Sequence, residues 1–150
     1  MDNWNKDKSV TLSQAGVIIF ALCLAALDIG TYQIATWFVS NRFQHFQLGI
    51  LLMVSIYAGS FFAWVCLFQL WRLLGNIRRG EVFVPENVRC MRTVSWCCFW
   101  AAVISLLSTV YYLPFAFAAV AAGFMALIVR IVKNAFEQAI AMKDELDLTI

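Results

Sequence analysis

The sequence contains little charge and a single histidine. Charged residues make up 13% of its 150 residues, whereas roughly 25% is usual in a soluble domain. Hydrophobic residues make up 63% of the chain, which includes 13 phenylalanines and six tryptophans. A soluble core of this size cannot bury so much apolar surface. The composition therefore indicates an integral membrane protein.

The residue types that build most catalytic and metal sites are scarce or badly spaced. His45 has no companion histidine, and the five cysteines show neither a zinc-binding spacing nor an even-numbered disulfide framework. No glycine-rich phosphate loop and no nucleophile–base pair is recognisable. We therefore predict no catalytic residue, no cofactor-binding residue and no metal ligand, and we do not expect an enzyme.

Four hydrophobic stretches are long enough to cross a bilayer as helices, for which about 20 apolar residues suffice. The third and fourth follow each other almost without a linker. Pro114 separates them, because proline disfavours helix in the residue before it. The predicted fold is an all-α membrane protein, a four-transmembrane-helix bundle in a single domain over residues 1–150, with spans at 14–39, 48–71, 94–113 and 114–133.

Basic residues are distributed unevenly between the two ends of these spans. The connection 41–47 contains one, Arg42, and the turn at 113/114 contains none. The other ten lie in the N-terminal segment, the central segment 72–93 and the C-terminal part of the chain. Because basic residues favour the cytoplasmic side, we expect both termini, the central segment and a tail over 134–150 to lie in the cytoplasm.

The central segment predicts two helix ends in close succession. Gly80 is a favourable position for the second helix to stop. Pro85 suits the first position of the next helix, where Glu86 complements the helix dipole. Phe83 and Val88 have the spacing of a hydrophobic staple. We therefore predict a cytoplasmic helical hairpin that extends the second and third spans through this segment.

The arginines of this hairpin have two interpretations. Orientation of the protein and attachment to anionic lipid headgroups explain most basic loops of small membrane proteins, and this is the more general explanation. A docking surface for a cytoplasmic protein is the sharper one, because an orientation signal alone needs neither a staple nor a proline start. The candidate docking residues are Arg72, Arg78, Arg79, Glu86, Arg89 and Arg92.

Asp28 is an ionisable residue in the middle of the first span, where a charged carboxylate costs about 2.5–3.5 kcal/mol on insertion scales. It should therefore face the interior of the bundle or be protonated. Counting residues from the outer ends of the spans places it in one layer with several hydroxyl groups. A packing role and a proton or ligand site both fit this pattern. The predicted intramembrane polar layer comprises Asp28, Tyr32, Ser60, Ser105, Ser108 and Thr109.

The stretch NIRRGEVFVPENVRCMR, followed by an apolar helix, resembles the bacterial membrane family known as domain of unknown function 2975. The shared features are a glycine turn, a phenylalanine, a Pro-Glu-Asn helix start and basic residues leading into the third span. Val84 departs from the pattern, which has Thr or Ser there. The resemblance covers roughly residues 15–140, and its matching positions are Gly80, Phe83, Pro85, Glu86, Asn87, Val88, Arg89 and Arg92.

This resemblance implies a small protein of the bacterial inner membrane, in a family often encoded beside a small helix-turn-helix DNA-binding protein. Such a regulator is therefore an expected cytoplasmic partner, held or released in response to a membrane signal. The chain itself is not expected to bind nucleic acid.

Three functions are compatible with the sequence. The first is a non-enzymatic regulatory or sensory membrane protein with a cytoplasmic docking surface; its signal has to come through the bilayer, since the outer loops are too short to form a receptor domain. The second is a small transporter, channel subunit or immunity protein that uses the polar layer around Asp28. A single bundle of this size has little room for a transport path, so the second function requires a homo-oligomer. The third is an accessory subunit of a larger membrane complex.

Overall fold

A computed structural model describes residues 2–42 and 46–148, and in these ranges the chain forms four helices. Each helix is long and apolar enough to cross a bilayer. The predicted all-α fold with four membrane-spanning helices is therefore confirmed. His45 lies outside the described residues. The helices are α1 (Asp2–Arg42), α2 (Phe46–Arg78), α3 (Pro85–Ser108) and α4 (Phe115–Leu148).

All four helices are longer than the spans predicted for them. With a rise of 1.5 Å per residue, the 34 residues of α4 extend about 50 Å, against about 30 Å for the hydrocarbon core. α4 accordingly continues without a break through residues 134–148 of the predicted tail. The part of α4 beyond the predicted span can therefore contact the polar ends of its neighbours.

The helix α3 ends at Ser108, five residues before the predicted end of the third span. The connection 109–114 consists of turns. The backbone N–H of Tyr112 donates to the Ser108 carbonyl at 3.1 Å, and that of Phe115 donates to the Tyr112 carbonyl at 3.1 Å. Pro114 thus stands just before α4, and the turn it was predicted to mark begins at Thr109.

The helices pack in chain order. Within the described ranges α1 packs on α2, α2 on α3, and α3 on α4, whereas α1 makes no close backbone approach to α3 or α4. The predicted bundle is therefore open, with α1 and α4 at its edges.

Most of the buried side chains belong to α3, which has a neighbour on two sides. Val88, Met91, Val94 and Cys97 are all buried. By contrast, large apolar side chains on the outer faces are exposed, for example Ile29 and Phe117 at 83% and 82%. In a bilayer such faces contact lipid, which is as apolar as they are. The exposed apolar surface therefore fits a membrane environment.

Candidate functional site

The helix α2 ends in a glycine turn. Gly80 has a positive φ of 81°, a conformation that a residue without Cβ adopts at little cost. Its N–H donates to the Ile77 carbonyl at 3.0 Å, and the N–H of Glu81 donates to the Asn76 carbonyl at 3.1 Å. These are the two hydrogen bonds of a Schellman motif. The predicted stop of the second helix at Gly80 is confirmed.

The helix α3 begins at Pro85, as predicted, with Glu86 in its first turn. Val84 occupies the N-cap in an extended conformation and makes no side-chain capping bond. The N–H of Asn87 donates to the Val84 carbonyl at 3.1 Å. The Phe83 ring contacts Phe136 of α4, with centroids 5.5 Å apart, so the connection is also attached to the far end of the chain.

Asn87 holds this connection in place and is fully buried, with 0% of its surface exposed. Its Nδ2 donates to the Glu81 and Val82 carbonyls, both at 2.8 Å. Its Oδ1 accepts a hydrogen bond from Asn76 Nδ2 of α2, also at 2.8 Å. One buried amide therefore fixes both the turn and the spacing of the two helices.

The sequence interpretation assigned Asn87 only to the helix start and missed this role. The sequence does contain a signal for this role. Asn87 lies four and seven residues before the apolar Met91 and Val94, on the same face of the helix, and both of these are buried. An amide on the apolar stripe of a helix must find partners inside the protein.

A groove opens between the end of α2 and the start of α3. Its volume is about 720 Å³, within the usual range of roughly 300–1,000 Å³ for ligand pockets. It combines guanidinium groups with two carboxylates. We call it the arginine groove; its polar lining consists of Arg72, Asn76, Arg79, Glu81, Glu86 and Arg89.

The charges of the arginine groove are only partly balanced. Arg72 of α2 forms an ion pair with Glu86 of α3. Among the described residues, no acidic side chain lies within ion-pair distance of Arg79 or Arg89. Guanidinium groups without a carboxylate partner are suited to bind an external carboxylate or phosphate in a bidentate manner.

The six candidate docking residues divide into three groups. Four of them line the arginine groove: Arg72, Arg79, Glu86 and Arg89. Arg78 is exposed and does not line it. Arg92 lies further along α3 and forms an ion pair of 3.3 Å with Glu137 of α4, so it belongs to a separate surface.

Asp28 forms hydrogen bonds with two side chains of α2. Trp64 Nε1 donates to its Oδ2 at 2.9 Å, and the Tyr57 hydroxyl donates to its backbone carbonyl at 3.3 Å. Tyr57 lies three residues before Ser60, and Trp64 lies four residues after it. Asp28 is therefore level with Ser60, as the residue count predicted. Asp28 Oδ1 is buried and has no hydrogen-bond partner among the described residues.

A second cluster of hydroxyl groups joins Ser108 of α3, Ser55 of α2 and Tyr111 of the connection between α3 and α4. Ser108 Oγ donates to Ser55 Oγ at 3.0 Å, and the Tyr111 hydroxyl also donates to Ser55 Oγ. Ser55 lies five residues before Ser60, which is level with Asp28, and this is about 7.5 Å along the helix axis. The Thr109 hydroxyl, directly after α3, donates to the Ser105 carbonyl at 3.1 Å.

The six residues of the predicted polar layer therefore do not meet at one point. Ser60 is buried, whereas Tyr32 is 65% exposed. Because α1 does not approach α3, the structure does not bring Asp28 together with Ser105, Ser108 or Thr109. Within the described residues, no group of three or more His, Cys, Asp or Glu side chains is arranged to hold a metal ion.

Comparison with protein families gives a match over most of the chain. The model of the family described as protein of unknown function (DUF2975) matches residues 15–150. The resemblance read from the stretch around Gly80 and Pro85 is therefore confirmed, over a slightly longer range than expected. No curated protein and no solved structure matches the chain.

Proposed function

The chain belongs to the DUF2975 family of proteins of unknown function, and we propose that it is a non-enzymatic regulatory or sensory protein of the bacterial inner membrane. In this proposal a cytoplasmic protein docks in the arginine groove. The observation that carries it is that two guanidinium groups, Arg79 and Arg89, have no ion-pair partner among the described residues, on a groove whose walls are joined by the Asn76–Asn87 hydrogen bond.

The orientation follows from the charges. Both walls of the arginine groove belong to the central segment, which is the most basic part of the chain. The positive-inside rule places such a segment in the cytoplasm, together with both termini. Trp71 also lines the groove, and tryptophan is enriched at the membrane–water interface. A partner in the groove would thus sit at the inner surface of the membrane.

Docking accounts for the local structure better than orientation alone. Orientation depends on the number of basic residues near the membrane and requires no defined geometry. The connection nevertheless has a Schellman turn, a proline helix start and a buried Asn87 side chain that donates two hydrogen bonds and accepts a third. A fixed geometry lowers the ordering cost of binding a partner.

The chemistry of the groove favours a partner that presents acidic side chains to Arg79 and Arg89. A small helix-turn-helix regulator with an acidic patch away from its DNA-binding face is the partner that the family resemblance suggests. Because the outer connections are short, a lipid state or a small hydrophobic molecule would provide the signal. The proposal needs no catalysis by the chain.

The test is cross-linked co-purification from membranes of the native host. Arg79→Glu and Arg89→Glu reverse charges in the groove, and Arg78→Glu reverses one charge on the exposed neighbour outside it. Each of the three variants replaces one arginine of the central segment by glutamate. Any effect of the lost positive charge on membrane orientation should therefore be the same in all three. The proposal predicts one partner captured by the wild type and by Arg78→Glu, and lost from the other two. Equal capture by all four proteins contradicts it.

A second candidate function rests on Asp28. Its Oδ1 is buried without a partner among the described residues, and intramembrane carboxylates are often functional. A small transporter, channel or immunity protein assembled as an oligomer could use it. Asp28→Asn keeps an acceptor for Trp64, so its packing role is preserved. Loss of transport or protection at normal expression would support this function, and an unchanged phenotype would leave Asp28 with packing alone.

A further inference from the structure

A second cavity lies between α3 and α4, apart from the arginine groove. Its volume is about 330 Å³, and none of its lining residues is shared with the arginine groove. Three cations stand at one end, and aromatic and aliphatic side chains line the rest. We call it the basic cavity; the residues that matter here are Arg92, Trp96, Phe99, Leu127, Arg130 and Lys133.

The cationic end carries an excess of positive charge. Glu137 accepts hydrogen bonds from Lys133, at 3.1 Å, and from Arg92, at 3.3 Å. Among the described residues no carboxylate pairs with Arg130. Three cations against one carboxylate leave a net charge of +2, so this end of the cavity has capacity for an anion.

The helical register separates this charged end from an apolar one. Trp96 and Phe99 follow Arg92 at four and seven residues on the same face of α3, and their rings contact each other with centroids 5.8 Å apart. On α4, Leu127 lies one turn before Arg130 on the same face. With 1.5 Å per residue, Arg92 and Phe99 are about 10 Å apart along α3.

The space between these side chains comes from small residues. Gly123 and Ala126 form the α4 side of the apolar end. Ser95 donates to the Ala126 carbonyl at 3.1 Å, which holds α3 close to α4 without filling the cavity. The exposed fractions of Trp96 and Phe99 are 56% and 47%, so the cavity is open to the lipid side.

We propose that the basic cavity binds one anionic phospholipid. Arg92, Arg130 and Lys133 contact the headgroup phosphate, and the first part of an acyl chain lies along Trp96, Phe99 and Leu127. The direction fits the membrane, because the cations stand at the predicted cytoplasmic boundary and the apolar end lies at hydrocarbon depth. Basic pockets between membrane helices on this side are suited to anionic headgroups. The site does not depend on docking in the arginine groove.

A soluble phosphate offers the same anionic chemistry and must be distinguished. Inorganic phosphate could bind the three cations, but it makes no use of the apolar end. A lipid joins both ends in one ligand, and a zwitterionic lipid offers the acyl chain without the net negative charge. The three ligands therefore give different results in one binding experiment.

The test is native mass spectrometry of the purified full-length chain in detergent micelles. The probes are dioleoyl phosphatidylglycerol, dioleoyl phosphatidylcholine and inorganic phosphate. The wild type should retain one phosphatidylglycerol in preference to phosphatidylcholine. Arg130→Gln should weaken that retention about tenfold, which corresponds to about 1.4 kcal/mol, and Arg130→Lys should preserve most of it. Arg92→Gln is a second test in case Arg130→Gln fails to fold. The Arg92 side chain is largely exposed, so its replacement should preserve the fold and still weaken the binding of phosphatidylglycerol.

The matched control is Lys143→Gln, which removes one exposed cation from α4 outside the basic cavity. It should bind phosphatidylglycerol like the wild type. Equal retention of the two lipids, or a loss of binding in Lys143→Gln as large as that in Arg130→Gln, overturns the proposal. Retention of inorganic phosphate as strong as that of phosphatidylglycerol also overturns it, since the ligand would then be a soluble anion.

Discussion

The side-chain amide of Asn76, in the last turns of α2, donates a 2.8 Å hydrogen bond to Oδ1 of Asn87, in the first turn of α3. This bond joins the two walls of the arginine groove below their charged side chains. The two N–H protons of the Asn87 side-chain amide are donated to the Glu81 and Val82 carbonyls. The positions of Arg79 and Arg89 thus depend on a pair of uncharged amides, of which Asn87 is fully buried.

Asn87→Ala should destabilise the protein more than Asn76→Ala. The first change removes the side-chain partner of the Glu81 and Val82 carbonyls and of the Asn76 amide, and each polar group left unsatisfied away from water costs roughly 1–3 kcal/mol. The second leaves only Asn87 Oδ1 without a partner. Asn134→Ala, at an exposed position of α4, is the neutral control. Thermal unfolding in detergent should give this order, and equal midpoints for the three variants would disprove the role of Asn87.

Gly80→Ala and Gly75→Ala should change stability in opposite directions. Alanine at Gly80 must adopt a positive φ of 81°, which costs about 1–2 kcal/mol for a residue with Cβ. Gly75 lies inside α2, and a Cβ added there would meet nothing within 4 Å, so alanine should stabilise the helix by about 0.5–1 kcal/mol. Chemical unfolding in mixed micelles measures both. A stabilising Gly80→Ala is incompatible with the Schellman turn.

Asp28 and Trp64 should be energetically coupled. The indole N–H donates to Asp28 Oδ2 at 2.9 Å, and hydrogen bonds between membrane helices contribute about 0.6 kcal/mol on average and up to about 1.7 kcal/mol. Asp28→Ala, Trp64→Phe and the double variant form a cycle whose coupling energy should fall in that range. Unfolding by sodium dodecyl sulfate provides the free energies, and strictly additive effects would show that the bond contributes nothing.

The two turns flanking α3 should lie on opposite sides of the membrane. In a variant without native cysteines, a cysteine at Leu113 should react with a membrane-impermeant maleimide added to intact cells. A cysteine at Glu81 should react only after the membrane is opened. Both positions are exposed, so a difference in labelling reports the side of the membrane and not burial in the protein. The reverse labelling pattern would place the arginine groove outside the cell and exclude a cytoplasmic partner.

The parts of this structure that depend on local chemistry could be predicted from the sequence. Gly80 ends α2 because glycine adopts a positive φ, and Pro85 begins α3 because proline suits the first helical position. Neither effect requires knowledge of the remaining fold. The depth of Asp28 relative to Ser60 was equally accessible, since helices in a bilayer have a fixed rise per residue.

The lateral arrangement of the helices could not be predicted in the same way. Lipid is as apolar as the side chains it contacts, so the sequence of α1 does not distinguish a lipid-facing side from a protein-facing one. Asp28 was therefore grouped with hydroxyl groups of α3 that α1 does not reach. Likewise, Arg72 and Glu86 were treated as separate docking residues, although they pair with each other across the groove.

The most direct test of the docking function is site-specific photo-cross-linking in the native host. A photoreactive amino acid replaces Glu81, which lines the arginine groove, or Arg78, which does not. Docking predicts one cross-linked protein with the photoreactive residue at position 81 and none with it at position 78. The product at position 81 should be lost when the same chain also carries Arg79→Glu. If only lipid is cross-linked at position 81, or if the same product forms at both positions and persists in Arg79→Glu, the arginines serve orientation alone.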